Sequence, residues 1–315
     1  MWGEFPLAKQ FLTIDEDYSG GYIQGSRNDQ EDDFGFDNSK ANDFLLILAD
    51  GMGGYEGGAI ASNLAVKTFM DAYHAIVGNV AKRLRYALQK TNQQLALRKK
   101  SPPKLKDMGC TLVGVALNGK QMEWISVGDS PLWLYNAGRL ERLNADHSIK
   151  PMLQLLLQQG ELTLEQVANH PNRNMLRSAV SGDKIELIDQ PSTPLELYPG
   201  DRILLASDGI FTLSEVEIQN ILQQDLSAQQ LVQKLLQAVQ DKNKYNQDNT
   251  TVLVVKIPET TVGSDAPKRW RWQTSLLSFL LILVFMLWIG LYFQLVDLNA
   301  LVWLKFIGLF IFENP

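Results

Sequence analysis

Cysteine is almost missing from this chain of 315 residues: Cys110 is the only one, so no internal disulfide can form and a reducing compartment is expected. Cysteine-based phosphatase chemistry is excluded as well, because it needs an arginine six places on and Ala116 stands there. Cys110 itself lies in a strand pattern and reads as a small core residue. There are three histidines, His74, His147 and His170, with no ligand spacing among them, so zinc is a poor fit. No G-K-[ST] occurs, which removes a P-loop, and from Gly51 and Gly53 the third position of a dinucleotide fingerprint falls on Glu56. The net charge is −6 and no basic run before Lys268 argues for nucleic acid, so a nucleic-acid partner is not expected. The start, MWGEFPLAKQF, has no basic segment leading into an apolar one, so no secretory signal is expected.

Apolar residues are plentiful, at 45%, and can bury a full core. They are also concentrated. Ser275 to Phe293, SLLSFLLILVFMLWIGLYF, runs about 19 residues without a charge, close to the ~20 that span a bilayer as a helix. KRWRW, Lys268 to Trp272, precedes it, and cations with tryptophans mark the cytoplasmic face of a span. The expected organisation is therefore a soluble domain over 1–257, a polar linker and basic juxtamembrane segment over 258–274, and a transmembrane helix over 275–293. A short apolar tail over 294–315, holding Lys305, is either interfacial or a second span. The soluble domain is expected in the cytoplasm, at the inner (plasma) membrane.

Within the soluble part, Gly20 to Asp37 reads as strand, polar loop, strand, and Ala41 to Asp50 as a continuous apolar strand buried on both faces. Two helices follow. Ile60, Leu64, Phe69, Tyr73 and Ile76 share a face of the first; Val80, Leu84, Ala87, Leu88 and Leu95 share one of the second. SPPK at 101–104 breaks the pattern. Asn118-Gly119 and Ala137-Gly138 are turns in an antiparallel meander. Short helices are expected in the leucine- and glutamine-rich stretch 149–181, then a strand ending in LLASD, helices near 214–224 and 227–240, and a last strand, Thr250 to Ile257. This is an α+β pattern, antiparallel sheet packed against helices.

Acids recur where these strands end. Asp50 closes LLILAD, Asp129 closes WISVGD, Asp208 closes ILLASD, Asp248 precedes the last strand, and Glu31 and Asp32 lie in a polar turn. A strand that ends in Asp sets a short carboxylate at the rim of its sheet, and several such strands aim their carboxylates at one place. Alone, the cluster repels itself. A hard divalent cation removes the problem, since carboxylates, backbone carbonyls and water are its ligands. The glycines after Asp50, in DGMGGYEGG, let backbone approach such an ion. Asp201, in Pro199-Gly200-Asp201, reads as turn chemistry instead.

DGMGG followed by GG-x-x-AS (Gly57 to Ser62), CTLVGVAL, VGDS, DHS (Asp146 to Ser148), LLASDGIF and DNTTVLVV occur in the order found in metal-dependent PP2C-type serine/threonine phosphatases. Over about residues 19–257 the chain resembles that family, and its bacterial members in particular. The resemblance implies a β-sandwich of two antiparallel sheets flanked by helices, four layers α-β-β-α. It implies hydrolysis of phosphoserine and phosphothreonine in proteins by a water bridging two divalent cations, Mn²⁺ or Mg²⁺. Asp50 then bridges both ions and the Gly51 carbonyl is a ligand. Glu31, Asp32, Asp208 and Asp248 complete the set, Asp129 holds a third, weaker ion, and Arg27 grips the phosphate. Partners would be phosphorylated proteins, among them a membrane-associated kinase or its targets. Departures are Pro131, where the family often has arginine after GDS; Tyr55, often histidine; and Met52, where some eukaryotic members have a histidine acid. Leaving-group protonation then falls to water at the metals. Residues 149–170 match the variable flap, and His147 is expected to be structural. The alternative is a catalytically silent, membrane-tethered phosphoprotein-binding module of the same fold.

Overall fold

The computed structural model describes residues 12–40, 42–54, 56–100 and 105–258. The expected span 275–293, the linker beyond Pro258, the tail 294–315 and Tyr55 lie outside them. Among the described residues no helix is long and apolar enough to cross a membrane.

In chain order the strands are β1 (Tyr18–Ile23), β2 (Asp32–Lys40), β3 (Asp43–Met52), β4 (Gly109–Cys110), β5 (Leu112–Asn118), β6 (Gln121–Val127), β7 (Leu132–Asn136), β8 (Arg139–Arg142), β9 (Leu195–Glu196), β10 (Arg202–Ala206) and β11 (Thr250–Lys256). Two antiparallel sheets result. One runs β1-β11-β10-β7-β8; the other runs β2-β3-β5-β6-β9, with β4 paired to β3. Helices α1 (Gly57–Ala75) and α2 (Val80–Arg98) cover the second sheet; α5 (Glu215–Leu222) and α6 (Ala228–Asp241) cover the first. Two short helices, α3 (Lys150–Gln158) and α4 (Leu164–Ala168), fall in the leucine- and glutamine-rich stretch.

Side-chain alternation explains the layers. In β3, Leu45, Ile47 and Ala49 pack under α1 and α2, while Leu46 and Leu48 enter the space between the sheets. In β11, Leu253 and Val255 face the other sheet, and Val252 and Val254 face α6. Both strands are therefore apolar along their middles, Phe44 to Ala49 and Val252 to Val255, as a strand covered on both faces must be. Serine starts α5 and α6: Ser214 and Ser227 each close a capping box, with Glu217 and Gln230 three residues on.

The meander read from 109–142 is corrected in one respect. β5 and β6 form a hairpin across Asn118-Gly119, and β7 and β8 form another, but the two hairpins belong to different sheets. The chain crosses between sheets at Gly128, whose φ of +106° and closeness to Thr111, 2.6 Å from where a Cβ would sit, require glycine. Asp129 follows directly, so the crossover sets it at the end of the sandwich. Asp201 is a turn residue as expected: buried, it accepts the Tyr198 N–H at 2.9 Å and a bond from Asn136.

Candidate active site

Six acids line one cleft of about 720 Å³ at the end of the sandwich: five read from the sequence, Glu31, Asp50, Asp129, Asp208 and Asp248, with Gly51 and Arg27 beside them, and Glu186. Asp50 is at the end of β3, and both its backbone groups are tied to one residue. Its carbonyl accepts the Thr111 N–H at 2.8 Å and its N–H donates to Thr111 Oγ1 at 3.2 Å. Thr111 Oγ1 in turn meets Ser130 Oγ at 2.7 Å, which links the Asp50 strand to the turn carrying Asp129.

Asp32 stands directly across from Asp50 in the β2–β3 ladder, and it lies behind the cleft wall. Its Oδ2 accepts two hydroxyls, Ser207 Oγ and Thr251 Oγ1, both at 2.7 Å. Asn249 draws the neighbouring loops in: its Nδ2 donates to the carbonyls of Gln24 and Asp29, and its Oδ1 accepts the Glu31 N–H at 2.9 Å. The Glu31 carbonyl accepts the Gly51 N–H at 3.0 Å. A Cβ on Gly51 would lie 2.3 Å from the Gly58 carbonyl oxygen and 2.4 Å from that of Glu31, so close backbone packing is what the glycine there serves. His147 braces the crossover from beneath, its Nδ1 accepting the Gly128 N–H at 3.2 Å and its own N–H donating to the Gly128 carbonyl at 3.0 Å.

These carboxylates disfavour one another. Burial, then the nearby charges of Asp32, Asp208, Asp129 and Asp248, holds Asp50 well above the ordinary carboxylate range. Burial pushes Asp208 to about 7, with Asp129 and Asp248 adding to it and Lys150 opposing. Asp32 is raised by burial to about 6, against the pull of its two hydroxyl partners. Glu31 is raised too, mainly by burial. Such a set fits a multivalent cation, and an all-oxygen donor set fits Mg²⁺ or Mn²⁺. Among the described residues no three His, Cys, Asp or Glu side chains already enclose an ion position. Two of the acids are turned onto basic side chains instead: Arg27 Nη2 meets Asp248 Oδ2 at 2.6 Å, and Lys150 Nζ meets Asp129 Oδ2 at 2.9 Å.

All the acids read from the sequence therefore gather at this end of the molecule, Asp32 one layer deeper than the rest. Arg27 faces Asp248 with half of its side chain exposed. Sequence reasoning missed the supports, Thr111, Ser130, Ser207, Thr251 and Asn249, and the far wall of the cleft, where Arg177 and Lys184 stand. It also missed Lys150. One signal was available for that residue: a lysine in the first turn of a helix works against the helix dipole, so something else must hold it.

The sequence model of the family described as Protein phosphatase 2C matches residues 22–254. The serine/threonine phosphatase stp of Listeria monocytogenes is 33% identical over 247 residues, covering 76% of this chain and 95% of that protein. The protein phosphatase PhpP of Streptococcus pneumoniae is 30% identical over 226 residues, 70% of this chain and 89% of its own. A crystal structure of the catalytic domain of the serine/threonine protein phosphatase PstP, in complex with two manganese ions, superposes with a TM-score of 0.64 at 27% identity, over 77% of this chain and 98% of that one. Strand order, acid cluster and sequence thus agree: the chain belongs to the protein phosphatase 2C family.

Proposed function

We propose that Asp50 and the Gly51 carbonyl, with Glu31, Asp32, Asp208 and Asp248, hold two divalent cations in this cleft, and that Arg27 receives the substrate phosphate there. The chain is a metal-dependent protein serine/threonine phosphatase, as its relatives are. Two Mn²⁺ or Mg²⁺ ions, when bound, acidify the attacking water and neutralise the phosphate oxygens. Asp50, fixed at both backbone groups by Thr111, would hold these ions with its carboxylate. Asp129 is the ligand left for a third, weaker ion, in competition with Lys150. Arg27 is paired with Asp248; with Asp248 holding a cation, its planar guanidinium would be available to grip two phosphate oxygens. Met52 carries no proton to give, so the leaving group draws its proton from water.

The observation that carries this reading is the convergence of the five acids read from the sequence, from five segments of the chain, on one open cleft. The test is hydrolysis of p-nitrophenyl phosphate and of phosphoserine and phosphothreonine peptides by the full chain with Mn²⁺. Turnover with Mn²⁺ and its loss in EDTA are expected. Folded protein without metal-dependent turnover would instead indicate the catalytically silent, membrane-tethered binding module.

The phosphatase domain over 1–257 is carried by the linker over 258–274 on a membrane helix over 275–293, with the tail over 294–315 beyond it. This puts the cleft in the cytoplasm at the inner membrane, within reach of phosphoproteins there, among them a membrane-associated kinase or its targets. Support comes from the uncharged run and its KRWRW flank. Removal of 268–315 is expected to move the protein from the membrane to the soluble fraction with p-nitrophenyl phosphate turnover kept. An unchanged distribution would refute the anchor.

A further inference from the structure

Asp129 has an unusual neighbour for a residue facing a metal cluster. Its side chain is 5% exposed and its charge bears on both Asp50 and Asp208, so it needs a cation close by. The cation present belongs to the chain. Lys150, the first residue of α3, reaches across to Asp129 Oδ2 at 2.9 Å, and the same ammonium lies 5.3 Å over the Phe211 ring. The charge acts on Asp208 too, opposing the acids around it. A helix start disfavours a lysine, so its place is set by Asp129 and Phe211 and not by the helix. The Arg27–Asp248 pair differs: there the guanidinium side chain is 54% exposed, whereas Lys150 is 32% exposed over a carboxylate that is almost fully covered.

From these contacts we infer that Lys150 is a tethered cation that fills the third-ion position at Asp129 and limits this phosphatase to two metal ions. The inference rests on the metal-dependent reading above. An ion arriving at Asp129 must displace the ammonium, and a displaced ammonium would face an added double positive charge. Lys150 also opens the segment 149–170. The pair therefore pins the start of that segment to the metal cluster through a side chain, where a free ion would leave it unpinned.

Full chain stripped with EDTA is titrated with Mn²⁺ by calorimetry, and bound manganese is counted by equilibrium dialysis. Wild type is expected to hold about two ions and Lys150→Met about three, the third at least ~10-fold tighter than any weak uptake by wild type. Lys150→Arg keeps the charge and should stay at about two. Adding Asp129→Asn to Lys150→Met should abolish the third ion, which locates it. Cooperative thermal melting of each variant confirms folding. Three ions in wild type, or two in both wild type and Lys150→Met, would overturn the role of Lys150 and leave the two-metal centre standing. Wild type that binds no manganese would overturn the metal-dependent reading itself.

Discussion

Ser207 touches no cleft and no substrate, yet it decides how Asp32 stands. Its hydroxyl donates to Asp32 Oδ2 at 2.7 Å and accepts the Thr251 N–H at 2.9 Å, all of it buried. Replacing it with alanine removes one of the two hydroxyls that hold the Asp32 carboxylate, leaving Thr251 alone there, and leaves a buried N–H without a partner. Groups that orient metal-site carboxylates typically govern affinity by about 10–100-fold, and an unpartnered buried polar group costs about 1–3 kcal/mol. Ser207→Ala should therefore weaken Mn²⁺ binding by about 10–100-fold in a calorimetric titration while the protein still melts cooperatively. Unchanged affinity would remove Asp32 from the ion site. At this scale the sequence was legible in its acids and opaque in their supports. An Asp at the end of an apolar strand, followed by glycine or serine, is a pattern; Asp50, Asp129 and Asp208 all carried it. A serine or threonine inside a strand carries none, because its partner is set by a sheet pairing such as Ala206 to Val252 that only the fold supplies.

Elements meet through a second buried charge group that has nothing to do with the cleft. Asp43, at the start of β3, accepts both guanidinium nitrogens of Arg83 in α2, at 2.6 and 3.0 Å, and the Tyr73 hydroxyl of α1 at 2.8 Å. Arg83 also stacks over the Tyr73 ring, 4.2 Å from its centre. One carboxylate thus ties the helix pair to the strand whose far end is Asp50. Asp43→Ala would leave Arg83, only 11% exposed at its side chain, without its hydrogen-bonded counter-charge, with the more distant Glu123 still acting on it. A loss of about 3 kcal/mol is expected, since breaking one partner of a buried pair costs that much or more. Thermal melting of metal-loaded protein measures it, and a change under ~1 kcal/mol would place the arginine in water. The sequence showed the faces of these elements unevenly. In α2 the five apolar positions read as one face are all buried. In α1, Phe69 and Tyr73 are buried as read, but Ile60 and Leu64 are only partly covered, and Ala61 and Ala65 are buried as fully as the aromatics. Small residues there let the helix lie close to the sheet, and hydrophobicity alone ranks them too low. The sheet change at Gly128 was hidden for a related reason: two hairpins with good turns look the same whether or not they share a sheet.

Across the whole molecule, the gathering of acids at one end makes stability depend on pH and metal together. Without metal, the folded chain keeps Asp32 protonated up to about pH 6 and Asp208 up to about pH 7, whereas the unfolded chain releases those protons near the ordinary value of 3.8. Between those limits the folded state binds more protons than the unfolded state, so stability falls as pH rises. For Asp32 and Asp208 the effect builds from the ordinary carboxylate range up to about pH 7, and Asp50, raised well above that range, acts in the same direction. Its size is roughly a few kcal/mol for the coupled acids together. Divalent cations reverse the trend, because they bind the ionised acids and must expel those protons to do so. Protein in EDTA should therefore melt several degrees lower at pH 8 than at pH 5, roughly 2–4 °C for each kcal/mol in a domain of this size. Added Mn²⁺ should raise the melting temperature far more at pH 8 than at pH 5. Differential scanning calorimetry at matched ionic strength, with and without 1 mM Mn²⁺, reads both arms. A manganese effect of equal size at the two pH values would mean that the carboxylates do not share their protons or their ions, and the acid cluster would lose its place as the organising feature of the molecule.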